Sequence, residues 1–240
     1  MLSLRQSYYV YRSKREFSNQ EQIIMKKKNG WKWLFPALLA FGGLGLEVVL
    51  AFFVEPVIYG VQMGQWNTAQ NILHWIMTCV LWGIVYLSLM RWSKKKYNFD
   101  LMSAGSEVKP WQWIVVGVFV VFSLVISYID WNGSKVLKEF AYNGWLKFIF
   151  QYLYYVFETA LVMLIMIFGQ MACECWFGKK NIPYGGIILA LTWGVAHFFT
   201  KDYVAGILCM ISGLAFGSVY LLVGRDIKKA FPIMFVMFVL

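Results

Sequence analysis

Two ionisable residues stand inside long uncharged stretches of this chain. Glu158 lies in QYLYYVFETALVML and His197 in LTWGVAHFFTKD. A charged group near the centre of a bilayer costs a few kcal/mol or more, so such a residue pairs, lines a water-filled cavity, or stays neutral. A carboxylate facing an imidazole across a partly wet hollow is equipped to hold a water and take its proton. The plainer role is a Glu–His hydrogen bond tying two helices. Trp193 precedes His197 by four residues and shares its helical face, with Thr200 a turn beyond. Thr159 adjoins Glu158. Glu158 and His197 are the candidate catalytic pair, and Trp193, Thr159 and Thr200 the candidate lining.

Three further ionisable residues fall in apolar sequence: Glu47, Glu55 and His74. Glu55 precedes Pro56 near the end of one run, and His74 lies near the start of the next, so both are expected to reach the membrane interface. Glu47 is deeper and follows FGGLGL, where a second helix can approach closely. It fits a buried structural carboxyl as well as a functional one.

Composition dictates the scaffold that holds these residues. The chain of 240 residues is 60% hydrophobic and 19% aromatic, too apolar to pack as one soluble domain. A spanning helix needs about 20 predominantly apolar residues. Runs near 33–59, 70–90, 111–129, 144–172, 183–200 and 204–223 qualify, while the C-terminal FPIMFVMFVL is too short alone. Apolar residues are continuous and do not alternate, which excludes a transmembrane barrel. The expected fold is all-α: a polytopic helical bundle of six full transmembrane helices and a short seventh. Residues 1–32 read as a cytoplasmic basic tail and 33–240 as one transmembrane bundle. Counting from the ends of their runs, Glu158 and His197 each lie about fourteen residues into antiparallel helices, within roughly two turns of the midplane. Gly206, Gly213 and Gly217 share one face of the sixth run, and Gly213-x-x-x-Gly217 is a pattern that lets backbones touch. Gly185, Gly186 and Gly194 are candidates for the same role on the fifth.

Of the 22 lysines and arginines, all but Lys135, Lys138, Lys147 and Lys201 fall in the tail or in loops on its side. That asymmetry predicts a multi-pass protein of the cell membrane with its N-terminus in the cytoplasm. It also accounts for the net charge of +10 without nucleic acid, which is not expected as a partner. The first apolar run begins too late and lacks a small-x-small site, so it reads as a retained anchor and not as a signal peptide. Cys79, Cys173, Cys175 and Cys209 lie in or beside apolar runs and suggest neither a disulfide framework nor a zinc centre. No cofactor is expected.

Phe157-Glu158-Thr159, followed 39 residues on by Trp193-Gly194-Val195-Ala196-His197 and then by a glycine-rich helix, a loop and Pro232, resembles the core of the CPBP intramembrane endopeptidases. That family includes the type II CAAX prenyl proteases and many Abi-type and bacteriocin-immunity membrane proteins. The resemblance covers 151–240. In that family a Glu-Glu-x-x-x-Arg motif, an aromatic-x-x-x-His motif and a His-x-x-x-Asn motif supply the polar site. Here Thr159 replaces the second Glu, Met163 the Arg, Val236 the third-motif His and Leu240 its Asn. The resemblance implies Glu158 as general base for peptide-bond attack and His197 as the group that orients the water or steadies the oxyanion, on a membrane-anchored or prenylated peptide. Equally, it is compatible with a catalytically inactive relative that binds a partner, such as a bacteriocin-like peptide. A proton-coupled transporter is less favoured, since no repeated half is found.

Overall fold

The computed structural model describes residues 29–240, and every regular element among them is helical. Most of the expected basic tail, at 1–28, lies outside the described residues. The helices run in antiparallel succession: α1 (Asn29–Tyr59), α2 (Thr68–Tyr97), α3 (Pro110–Asp130), α4 (Lys135–Phe177), α5 (Tyr184–Thr200), α6 (Tyr203–Leu222) and α7 (Ile227–Val239). Five of them, α1 to α4 and α6, are long and apolar enough to cross a membrane. The expectation of six full crossings is therefore met by five. The run at 183–200 forms the shorter α5, short of the about 20 residues a regular crossing needs, and a wide turn at Ala190–Gly194 interrupts it. The seventh helix is short, as expected.

Boundaries follow local chemistry. Asn67 and Gln70 form a reciprocal capping box at the start of α2, and Ser134, Asp202 and Asp226 cap α4, α6 and α7 through their side chains. Gly60 and Gly178 end α1 and α4 in the left-handed conformation that glycine adopts freely. A break in α4 was not expected. At Gly144 the backbone turns to φ 67° and ψ 171°, so the arm Lys135–Asn143 folds back along the longer part of the helix. Glu139 on that arm accepts hydrogen bonds from Tyr152 (3.0 Å), Tyr155 (2.7 Å) and Gln151 (3.2 Å).

The remainder of α4 is the central pillar. Each residue from Leu161 to Phe168 is at most 2% exposed, enclosed by α2, α5 and α7. By contrast α3 leaves nearly its whole circumference outside the bundle, with Ile114, Val118, Val121 and Val125 exposed. In a bilayer such residues meet acyl chains, and helix association rests on close packing instead of on the hydrophobic effect. The glycines supply that packing. Gly213 and Gly217 of α6 lie directly against Gly186 and Ala190 of α5, and Gly194 lies against Met210.

At the end where α2, α4 and α6 finish, a polar clamp joins three connections. Arg225, itself at φ 63°, donates from Nη1 to Glu174 (2.9 Å), while Nη2 meets the other Glu174 oxygen and the Lys180 carbonyl, both at 2.6 Å. Gln170 donates to Glu174 and to the Ile182 carbonyl and accepts from the Gly185 N–H. Nearby, Ser106 and Gln112 donate to the Gly224 and Leu222 carbonyls, docking the α2–α3 loop on the α6–α7 turn. Burial works against the Asp226 carboxylate in that turn, yet bonds from the Lys228 and Gly105 N–H groups and from Lys229 hold it below the usual carboxylate range. Arg225→Ala removes the charge that pairs with Glu174. Losing a fully buried partner costs about 3–5 kcal/mol, and because Arg225 is 34% exposed the expected loss is about 2 kcal/mol, read as a lower thermal midpoint in detergent.

Candidate functional site

Glu158, on α4, and His197, on α5, meet on one side chain. The Trp193 indole Nε1 donates to Glu158 Oε1 at 3.1 Å, and the His197 ring lies edge-on to the same indole with centroids 4.7 Å apart. His197 Nδ1 is 2.7 Å from the Trp193 carbonyl. A carbonyl only accepts, so Nδ1 carries the hydrogen and, in the neutral ring, Nε2 presents a lone pair. Glu158 and His197 do not touch each other. The direct Glu–His contact considered from sequence is replaced by a Trp193 bridge, which leaves Glu158 Oε2 and His197 Nε2 without a bond to any described residue. Both residues are half-buried, whereas Trp193 is buried.

The turn that carries Trp193 is built for this. Ala190–Gly194 is a π-turn, in which the Val195 N–H reaches back five residues to Ala190. Thr192 Oγ1 donates to the Ile188 carbonyl and His197 Nδ1 to that of Trp193, so side chains serve one carbonyl before the wide turn and one within it. Phe238 of α7 closes the side, 5.7 Å from Trp193 and 5.5 Å from Tyr155 between ring centroids, and Lys135 Nζ donates to its carbonyl. The α7 positions that correspond to the third motif, Val236 and Leu240, carry exposed apolar side chains. Met163 is sealed in the core. Of the expected lining, Trp193 is at the centre, but Thr159 and Thr200 bond their own helices, to the Tyr155 and Ala196 carbonyls.

A second polar group adjoins the first. Tyr154, four residues before Glu158 and thus on the same face of α4, donates to Glu47 Oε2 at 2.9 Å. Glu47 Oε1 lies 3.5 Å from His74 Nε2, and His74 Nδ1 lies 2.6 Å from Glu55 Oε2. Glu55 and His74, the residues expected to reach the interface, are 0% and 6% exposed and bind each other. Two more buried polar atoms on α2, Thr78 Oγ1 and Trp82 Nε1, have no hydrogen-bond partner among the described residues. Left dry, each such group costs about 1–3 kcal/mol.

No family model, curated protein or solved structure matches the chain.

Chemically, the arrangement offers two unengaged acceptors, a carboxylate oxygen and an imidazole nitrogen, on either side of an indole. Among the described residues no cluster of three His, Cys, Asp or Glu side chains is placed to hold a metal ion. A surface depression of about 510 Å³ lies apart from these groups, on the outer face of α3 between Ile114, Gly117 and Val121, and is lined by apolar side chains.

Proposed function

We propose that the chain is a divergent, membrane-embedded peptidase of the CPBP type, acting on a membrane-anchored or prenylated peptide with a water held between Glu158 and His197. The observation that supports this reading is the Trp193 bridge, which leaves one acceptor on each partner. A water donating to Glu158 Oε2 and to His197 Nε2 would have its lone pairs free for attack. Glu158 takes the proton as the oxygen adds to the peptide carbonyl, and returns it to the amine when the C–N bond breaks. The excess of Lys and Arg at one end of the bundle supports a cell-membrane protein with a cytoplasmic N-terminus.

A second reading has its own support. The positions that should donate to an oxyanion are filled by side chains that do not: Thr159 bonds its own helix, and Met163 and Val236 have no hydrogen to give. On that reading the half-buried carboxylates Glu47 and Glu158 recognise a cationic partner, such as a bacteriocin-like peptide, without cleaving it. Reconstitution with a library of fluorogenic membrane-anchored peptides separates the two. Hydrolysis by the purified chain is the expected result. Binding of the same peptides with no hydrolysis would replace the peptidase by the recognition protein.

A further inference from the structure

The polar group on α1 and α2 has a geometry of its own, which the water-activating pair does not use. Five side chains are joined in sequence: Tyr59 O–H donates to Glu55 Oε1 (3.3 Å), Glu55 Oε2 meets His74 Nδ1 (2.6 Å), His74 Nε2 faces Glu47 Oε1 (3.5 Å), and Glu47 Oε2 accepts from Tyr154 (2.9 Å). The backbone is adapted to make this possible. Eight residues apart, Glu47 and Glu55 would diverge by about 80° on a regular α-helix. Leu50–Val54 is a π-turn in which the Glu55 N–H reaches back to Leu50, and absorbing one extra residue brings the two carboxylates to within about 20° of one face. Both then meet the same imidazole.

We propose that Glu55, His74 and Glu47 form a proton-binding centre, with the bound proton carried as an imidazolium between two carboxylates. Ionised carboxylates only accept, and a neutral imidazole has a hydrogen on one nitrogen alone, so with both glutamates ionised the two nitrogens are satisfied only when both carry hydrogen. Exchange has a single exposed partner within the trio: Glu55 and His74 are buried, whereas the Glu47 side chain is 32% exposed. On release the Nε2–H bond breaks as an O–H bond forms on Glu47, and that O–H then breaks to a solvent water, which carries the proton away as hydronium and leaves Glu47 ionised and a neutral ring bonded through Nδ1–H to Glu55; uptake is the reverse. The ring faces Glu47 and Glu55 of α1 and the Trp66 indole 5.2 Å away, and the two carboxylates in turn accept from Tyr59 of α1 and Tyr154 of α4. The polar face of α2 continues from His74 to Thr78 and Trp82, whose buried polar atoms have no hydrogen-bond partner among the described residues. None of this requires hydrolysis at Glu158, so a chain with no peptidase activity would still bind the proton.

Only two histidines are present, which makes the test direct. The full chain, with nitrogen-15 in its histidine rings, is placed in lipid nanodiscs and its ring signals recorded near neutral pH. His74 is assigned by loss of a signal in His74→Gln and, independently, by the signal that remains in His197→Gln, so failure of either variant to fold leaves an assignment. The expected result is a His74 ring bearing both hydrogens, converted to a neutral ring in Glu55→Gln and in Glu47→Gln while His197 is unchanged. A neutral His74 in the unsubstituted chain, or an imidazolium that persists in either glutamine variant, overturns the proposal.

Discussion

Gly217→Leu will leave almost no folded protein in the membrane. At this position α6 touches α5 backbone to backbone. A Cβ on Gly217 would stand 2.6 Å from the Gly186 Cα, and one on Gly186 would stand 2.6 Å from the Gly213 carbonyl oxygen. Neither neighbour is a side chain that can swing aside, so the helices must separate. Within lipid, separation is opposed by packing alone, and a gap of 0.5–1 Å already forfeits about a quarter to a half of each dispersion contact. Overpacking a tight site typically costs about 1–3 kcal/mol, and the extended leucine against main chain belongs at or above the top of that range. Because α5 also carries Trp193 and His197, the same displacement removes both from Glu158. Gly117→Leu on α3 is the control, since a Cβ there meets nothing within 4 Å. Size-exclusion profiles and thermal midpoints in detergent will show the first variant aggregated and the second like the unsubstituted chain.

On the proposed peptidase reading, Glu158→Gln abolishes hydrolysis of a membrane-anchored peptide while leaving the protein folded. The amide oxygen of glutamine still accepts from Trp193 Nε1, which is the one bond the Glu158 carboxylate makes to a described side chain. What is lost is the base. Proton transfer by a positioned side chain contributes about 100- to 10,000-fold to rate, so kcat is expected to fall at least 100-fold with KM nearly unchanged, the pattern of an interaction made only in the transition state. His197→Gln should lower kcat less, because it removes one of two acceptors for the water and not the proton's destination. A variant Glu158→Gln that cleaves as fast as the parent would assign the chemistry to another group.

Much of this arrangement was legible in residue spacing. The glycine face of α6 and its partners on α5 follow from helical periodicity, as does the shared face of Trp193 and His197. Tyr154 could have been read in the same way, four residues from Glu158. The remainder depends on backbone that departs from 3.6 residues per turn. No regular helix aligns Glu47 with Glu55, and only the π-turn between them makes one imidazole their common neighbour. A second π-turn interrupts α5 and sets how Trp193 meets Glu158. Gly144 was visible as the start of an apolar run, but not as the hinge that folds Lys135–Asn143 back to satisfy Glu139. Thr159 and Thr200 had polar atoms at promising positions; a threonine on a helix readily bonds the carbonyl four residues back, and these two do.

The proposed water-activating pair and the proposed proton-binding trio both require a crevice inside the bundle that water reaches at Glu47 and Glu158. The most direct measurement is modification by a charged, water-soluble methanethiosulfonate in proteoliposomes, after Cys79, Cys173, Cys175 and Cys209 are replaced by serine or alanine. Glu47→Cys and Glu158→Cys should react readily, while Leu161→Cys in the dry core and Val118→Cys on the outer face of α3 should not. A cysteine at 158 as inert as one at 161 would contradict the account.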